Sequence, residues 1–236
     1  MSSLVSYDLA DGVATLTMDD GKVNAMSPAM VVALTAALDR AEADGAMVVL
    51  AGRPGVFCAG FDLKTLTAED EAADRLALDG FGLVSRLVTF PTPVVAACSG
   101  HAIALGALLL AACDYRLGAA GDYKLAMNES AIGIPLPVPA IELLRQRLTP
   151  SVLHRAVNLA EMFSPADAVA TGWLDRVVDA DDLLTAAREH ARSLAGLNLA
   201  AYRTTKQRAW QSTVDSFDQY FAQSSTRRGI LRPLPR

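Results

Sequence analysis

Phe57-Cys58-Ala59-Gly60-Phe61-Asp62-Leu63 and, further along, Ser99-Gly100-His101-Ala102-Ile103-Ala104-Leu105-Gly106-Ala107 are the stretches whose reading decides this chain. Each follows an apolar, strand-like run, Met47 to Ala51 and Val94 to Cys98, and each then breaks into small residues. The second leads straight into an apolar helical pattern, Leu105 to Ala112. Turns of this kind present free backbone N–H groups, and two such donors aimed at one oxygen make an oxyanion hole. The pair therefore predicts a site that stabilises an enolate or tetrahedral anion on a carbonyl substrate.

The bulk composition frames that expectation. The chain has 236 residues, 52% of them hydrophobic and 20% charged, enough for one sizeable core. A net charge of −5 argues against nucleic acid as a partner, because phosphate binding needs a basic face. The odd number of cysteines, Cys58, Cys98 and Cys113, and their apolar surroundings predict reduced, buried thiols. Met1 to Asp11 shows no basic region followed by an apolar run, so no signal peptide is expected. Ile103 to Cys113 is the longest apolar run and falls short of the roughly 18 residues of a membrane helix. A cytoplasmic chain without membrane partners is expected. His101, His154 and His190 are scattered without ligand spacing, so no metal site is expected.

Outward from the two motifs, strand and helix alternate. Asp11-Gly12 marks a hairpin between Leu4–Tyr7 and Val13–Met18. Ser27-Pro28 opens a helix running to about Asp44, by an N-cap followed by proline. A second helix is expected over 68–88, a strand over 115–117 and an extended segment over 123–126. Pro135, Pro137 and Pro139 are read as forbidding regular structure before a helix at 140–147. Helices follow at 151–160 and 164–171, then a strand at 174–178. Helices alone are expected after that, at 180–194, 199–214 and 217–225. This predicts an α/β core built by right-handed crossovers over 1–180, with a helical region over 181–236.

At this point the residues carry a family. The two motifs resemble the oxyanion motifs of the crotonase superfamily, the enoyl-CoA hydratases and isomerases. Val23-Asn24-Ala25-Met26 is similar to that family's Asn-Ala segment, and Cys113-Asp114-Tyr115-Arg116 to its Cys-Asp-hydrophobic-Arg strand. Asn128-Glu129-Ser130-Ala131-Ile132-Gly133-Ile134 resembles its catalytic-acid segment. The resemblance implies a crotonase-like (ClpP/crotonase) α/β fold, a spiral of repeated ββα units with a C-terminal helical appendage. It also implies trimers, often paired into hexamers, and no permanently bound cofactor, with a coenzyme A thioester as substrate. The thioester carbonyl would sit between the N–H groups of Ala59 and Leu105. Substrate or coenzyme A contacts would come from Val23, Asn24, Ala25, Gly60, Phe61, Asp62, Leu63, His101 and Gly106. Lys64, and Lys206 of a neighbouring subunit, would meet phosphates, and the basic 227–232 tail could add another such contact.

The carboxylates choose the chemistry. Archetypal hydratases of this family use two glutamates. Counted back from Cys113-Asp114, the first position falls at Leu108, which cannot move a proton; the second falls at Glu129, with one residue inserted. A single base suffices to move a double bond from C3 to C2, taking a proton from C2 and returning it at C4. Glu129 would need its pKa raised by an apolar pocket, and Met127, Ala131, Ile132 and Ile134 suit that need. His101, Asp62, Asp114 and Glu142 are the candidate substitute acids, with local structural roles favoured for each. Leu66, Phe81, Val84 and Leu136 are expected to shape the pocket. Isomerisation is thus the expected reaction. A hydratase with a substitute acid is the alternative, other acyl-CoA chemistry such as decarboxylation or thioester hydrolysis a third. A non-catalytic acyl-CoA-binding protein is the reading from another class.

Overall fold

Asp11 and Gly12 both adopt left-handed φ, 52° and 73°, and join β1 (Val5–Ala10) to β2 (Val13–Met18) in antiparallel register. Such a turn matches the twist of the strands it connects. In the computed structural model, which describes residues 3–68 and 71–224, this hairpin starts a six-stranded sheet. Helix α1 (Pro28–Ala43) is opened by Ser27, whose hydroxyl accepts the Met30 N–H. It buries Met30, Leu34, Leu38 and Ala41 along one face, the spacing of an amphipathic helix.

The next strands come in pairs. β3 (Met47–Ala51) joins the large sheet, and β4 (Gly55–Cys58) leaves it for a second, three-stranded sheet. β5 (Val94–Cys98) and β6 (Gly100–Ile103) repeat the step, as do β7 (Tyr115–Ala119) and β8 (Leu125–Ala126). A helix closes each of the first two pairs: α3 (Glu71–Thr89), preceded by the short α2 (Leu63–Leu66), and then α4 (Leu105–Ala112). This is the spiral of ββα units. The large sheet runs β1-β2-β3-β5-β7-β9 and the small one β4-β6-β8, all pairs after the hairpin being parallel. β3 and β5 are wholly buried, as strands covered on both faces must be.

The remaining helices are α5 (Val138–Arg145), α6 (Pro150–Leu159) and α7 (Pro165–Thr171), followed by β9 (Arg176–Val178). α8 (Leu183–Ser193) lies across β2, β3, β5 and β7 and buries Leu183, Ala187 and Ala191 against them. α9 (Leu199–Ala209) and α10 (Gln211–Ser224) rest on α3 and α5.

Three expectations shift. β4 and β6 are strands although their sequences read as motif loops, because their partners are each other, far apart along the chain. Helix α5 starts at Val138, inside the proline run: Pro139 falls in its first turn, where no N–H is needed. The last long helix breaks at Trp210, whose ring takes the Arg147 guanidinium at 4.6 Å. The 227–232 tail lies outside the described residues.

Candidate active site

The parallel order β4-β6-β8 sets three segments side by side at the strands' C-terminal ends: Ala59–Phe61, Ala104–Leu105 and Asn128–Glu129. Crevices beyond the carboxyl ends of parallel strands are where such folds bind ligands.

The first segment is zipped to the Val23–Met26 loop. Ala59 N donates to Val23 O (3.1 Å), Met26 N to Gly60 O (2.7 Å) and Asp62 N to Met26 O (3.1 Å). The Gly60 N–H is directed at the Cys58 sulfur. Among the four consecutive N–H groups from Ala59 to Asp62, only that of Phe61 has no partner among the described residues. Backbone donors must go somewhere, so this one is reserved for a ligand or water. The expected donor Ala59 is corrected: its N–H is consumed by Val23 O inside the fold, and the turn at Gly60, at φ 93°, leaves the Phe61 N–H as the free one.

Opposite lies Leu105, the first residue of α4, whose N–H has no intrahelical acceptor. Ala104 before it holds φ 53° and ψ −123°, a conformation rare for a residue with a side chain. That kink ends β6 and turns the Leu105 N–H into the crevice. The two halves meet closely. Gly60, at φ 93°, has no Cβ, and one placed there would lie 3.6 Å from Leu105 N and 3.0 Å from Ile103 O. A Cβ on Gly106 would stand 2.0 Å from Cys58 O, so glycine lets the start of α4 lie flush on β4.

Glu129 completes the site. It opens a short 3-10 turn, Glu129–Ile132, capped by Gly133 at φ 80° and tied to α6 by the Ser130 hydroxyl, which donates to Val157 O. Its Oε2 is buried without a hydrogen-bond partner, as is Oδ1 of Asn128. Desolvation pushes the Glu129 carboxyl up from 4.5 to about 7. The pocket before it encloses about 130 Å³ and is lined by Phe61, Leu63, Leu66, Phe81, Leu108, Ile132 and Leu136, among others. Of the expected pocket residues Leu66, Phe81 and Leu136 line it; Val84 instead points into the core. Leu108 sits in the wall, 1% exposed. Glu129 is the one ionisable side chain among the described lining residues.

Other candidates lie elsewhere. Asn24 is buried in the left-handed region and donates to Met18 O (2.9 Å) and Phe57 O (3.2 Å), so its amide clamps β4 and faces no ligand. Asp62 caps α2 through the Thr65 N–H and hydroxyl. His101 is exposed and its Nδ1 accepts from Lys124 N (3.2 Å), outside the pocket. Lys206 is 6% exposed, and its ammonium donates to Asp114 (2.9 Å) and Leu87 O (3.1 Å). That corrects its expected phosphate role: the half-buried Asp114 holds the charge inside the fold. Val23, Leu63 and Lys64 are exposed beside the crevice, and Ala25 is half-buried there. All three cysteines are free and buried, their thiols pushed up to about 12 by desolvation. No cluster of metal-ligating side chains occurs among the described residues, nor a helix long and apolar enough to cross a membrane.

The unpaired N–H groups of Phe61 and Leu105 and the buried Glu129 carboxylate thus belong to residues that line one pocket of a crotonase-like fold. The chain belongs to the enoyl-CoA hydratase/isomerase family, whose model matches residues 8–230. An enoyl-CoA hydratase/isomerase family protein from Pseudomonas syringae is 44% identical, with 96% of this chain and 98% of that one covered at a TM-score of 0.92. An enoyl-CoA isomerase from Mycobacterium tuberculosis is 42% identical, over 95% and 99%, at 0.90. Human mitochondrial delta3-delta2-enoyl-CoA isomerase is 26% identical, over 94% and 92%, at 0.86.

Proposed function

We propose that this chain is an enoyl-CoA isomerase that shifts a double bond from C3 to C2 of an acyl-CoA thioester. The observation that carries the reading is that Glu129 is the one ionisable side chain among the described residues lining the pocket, with Leu108 in its wall. The ionised Glu129 carboxylate takes a proton from C2 of a 3-enoyl thioester. The C2–H electron pair moves through the dienolate onto the carbonyl oxygen, which the Phe61 and Leu105 N–H groups hold. Electron density then returns, and the protonated Glu129 delivers its proton to C4. One donor of this kind is typically worth about 2.7–4 kcal/mol of barrier. Coenzyme A would run along the exposed edge formed by Val23, Ala25, Leu63 and Lys64. The 181–236 region would serve assembly and pocket cover for the 1–180 core in a trimer or hexamer, and the buried unpaired thiols suit a reducing cytoplasm.

Water addition to a 2-enoyl thioester is the second reading. It is favoured by the unpartnered Asn128 Oδ1, which could hold a water beside Glu129. Wild type and Glu129→Gln, each given trans-3-enoyl-CoA and trans-2-enoyl-CoA, decide between the two. Conversion of the 3-enoyl substrate without mass gain, lost in the variant, is expected. A gain of one water from the 2-enoyl substrate would make it a hydratase. Tight binding without turnover of either would leave an acyl-CoA-binding protein.

A further inference from the structure

Helix α3 carries two glycines, Gly80 and Gly82, in its middle. Glycine inside a helix costs roughly 1 kcal/mol relative to alanine, so each position calls for a reason. At Gly82 nothing lies within 4 Å of where a Cβ would stand. At Gly80, which is buried, a Cβ would meet Phe61 Cε1 at 2.4 Å, Phe61 Cζ at 2.8 Å and Leu105 Cδ2 at 2.9 Å. Phe61 and Leu105 are the two residues whose unpaired N–H groups face the crevice. Their side chains, reaching from different strand ends, rest together on one bare patch of α3. Next along the helix, Phe81 packs on the Phe61 ring at 6.0 Å between centroids and lines the pocket.

We propose that Gly80 is a positioning residue that sets the spacing of the two N–H donors by seating both donors' side chains against α3. The proposal rests on the oxyanion-hole reading of Phe61 and Leu105. The hole is assembled from two segments, one tied to the Val23–Met26 loop and the other opening α4, and the side chains of Phe61 and Leu105 meet at Gly80. Gly80 is where that packing is shared. A methyl group there must displace the ends of the Phe61 ring and the Leu105 side chain that share this seat, and displacement of reacting groups by about 1 Å can cost about a hundredfold in rate.

The test compares wild type, Gly80→Ala, Gly82→Ala and Gly80→Ala/Phe61→Leu. Two readouts are used: kcat and KM for trans-3-enoyl-CoA, and the near-ultraviolet absorbance of the enolate formed from bound acetoacetyl-CoA. In that second assay the C2 proton passes to Glu129 and the electron pair to the carbonyl oxygens, so it reports anion stabilisation without turnover. Gly80→Ala is expected to lower kcat by about tenfold to a hundredfold and to diminish the enolate signal, while KM changes less than about threefold. Gly82→Ala is expected to match wild type. Removing the ring atoms that the new methyl meets should restore much of the enolate signal in the double variant, which also serves if the single variant folds poorly. A Gly80→Ala enzyme with a wild-type enolate signal and only a raised KM would overturn the proposal, the ring having swung into the pocket. A double variant no better than the single would overturn it too. A wild type that raises no enolate signal would remove the oxyanion hole itself, a failure distinct from these.

Discussion

In the proposed reaction Glu129 is the residue on which the chemistry turns, and its surroundings were partly foreseeable from its neighbours. Ile132 and Ile134 supply part of the apolar wall while Met127 is buried outside the lining, and the missing partner at Oε2 shows the result. With its carboxyl raised from 4.5 to about 7, the base form appears only as pH rises through about 7. In the free enzyme kcat/KM for the 3-enoyl substrate should therefore climb to a plateau above that value, as a pH–rate profile will show. The stability effect has the opposite sense. A carboxyl with a raised folded pKa favours the folded state in its neutral form. That contribution is complete below about 4.5, is lost as pH rises to about 7, and levels off above it. Glu129→Gln should match wild type at low pH and exceed it by up to about 3 kcal/mol above neutrality, measured by denaturant unfolding. The donor assignment, in contrast, was one step out of reach. Which N–H in Ala59-Gly60-Phe61 is free depends on the Val23–Met26 loop, and loop pairing leaves no mark on the motif itself.

At the scale of the element, Asp114 links three parts of the chain. Its Oδ2 accepts from Val94 N (2.8 Å), Tyr202 Oη (2.8 Å) and Lys206 Nζ (2.9 Å), joining β5 to α9. The neighbouring Arg116 is likewise internal: it forks onto both oxygens of Asp175 and donates to Gly172 O. The Cys113–Arg116 segment is thus a structural junction. Asp114→Ala leaves a lysine whose side chain is 4% exposed without its counter-ion. A loss on the order of 3–5 kcal/mol is expected in chemical denaturation, with partial recovery in Asp114→Ala/Lys206→Met, where an apolar chain replaces the stranded charge. Helix α4 matched its expected limits because its run is apolar on every side and ends at Cys113. α9 and α10 did not, since the break at Trp210 is fixed by packing on Arg147.

For the whole molecule, the alternation of strand and helix announced an α/β fold, and the buried runs of β3 and β5 announced a covered parallel sheet. Val32, Val138, Leu159 and Met162 remain more than half exposed. Apolar surface of this kind suits contacts between subunits. Light scattering of the purified chain is expected to give three or six copies per particle, and a monodisperse monomer would refute that assembly.

Residue order by itself determined the family and singled out Glu129 and Leu108 for attention, because these are identities at fixed spacings. Hydrophobic period and turn chemistry, which act over a few residues, determined most helices and the large sheet. The tertiary structure alone decided the second sheet, the choice of Phe61 over Ala59, the withdrawal of Lys206 and Asn24 into the interior, and the seat at Gly80. Each of these depends on which backbone or charged group meets which partner across long separations in the chain, and local sequence preferences carry no term for such meetings.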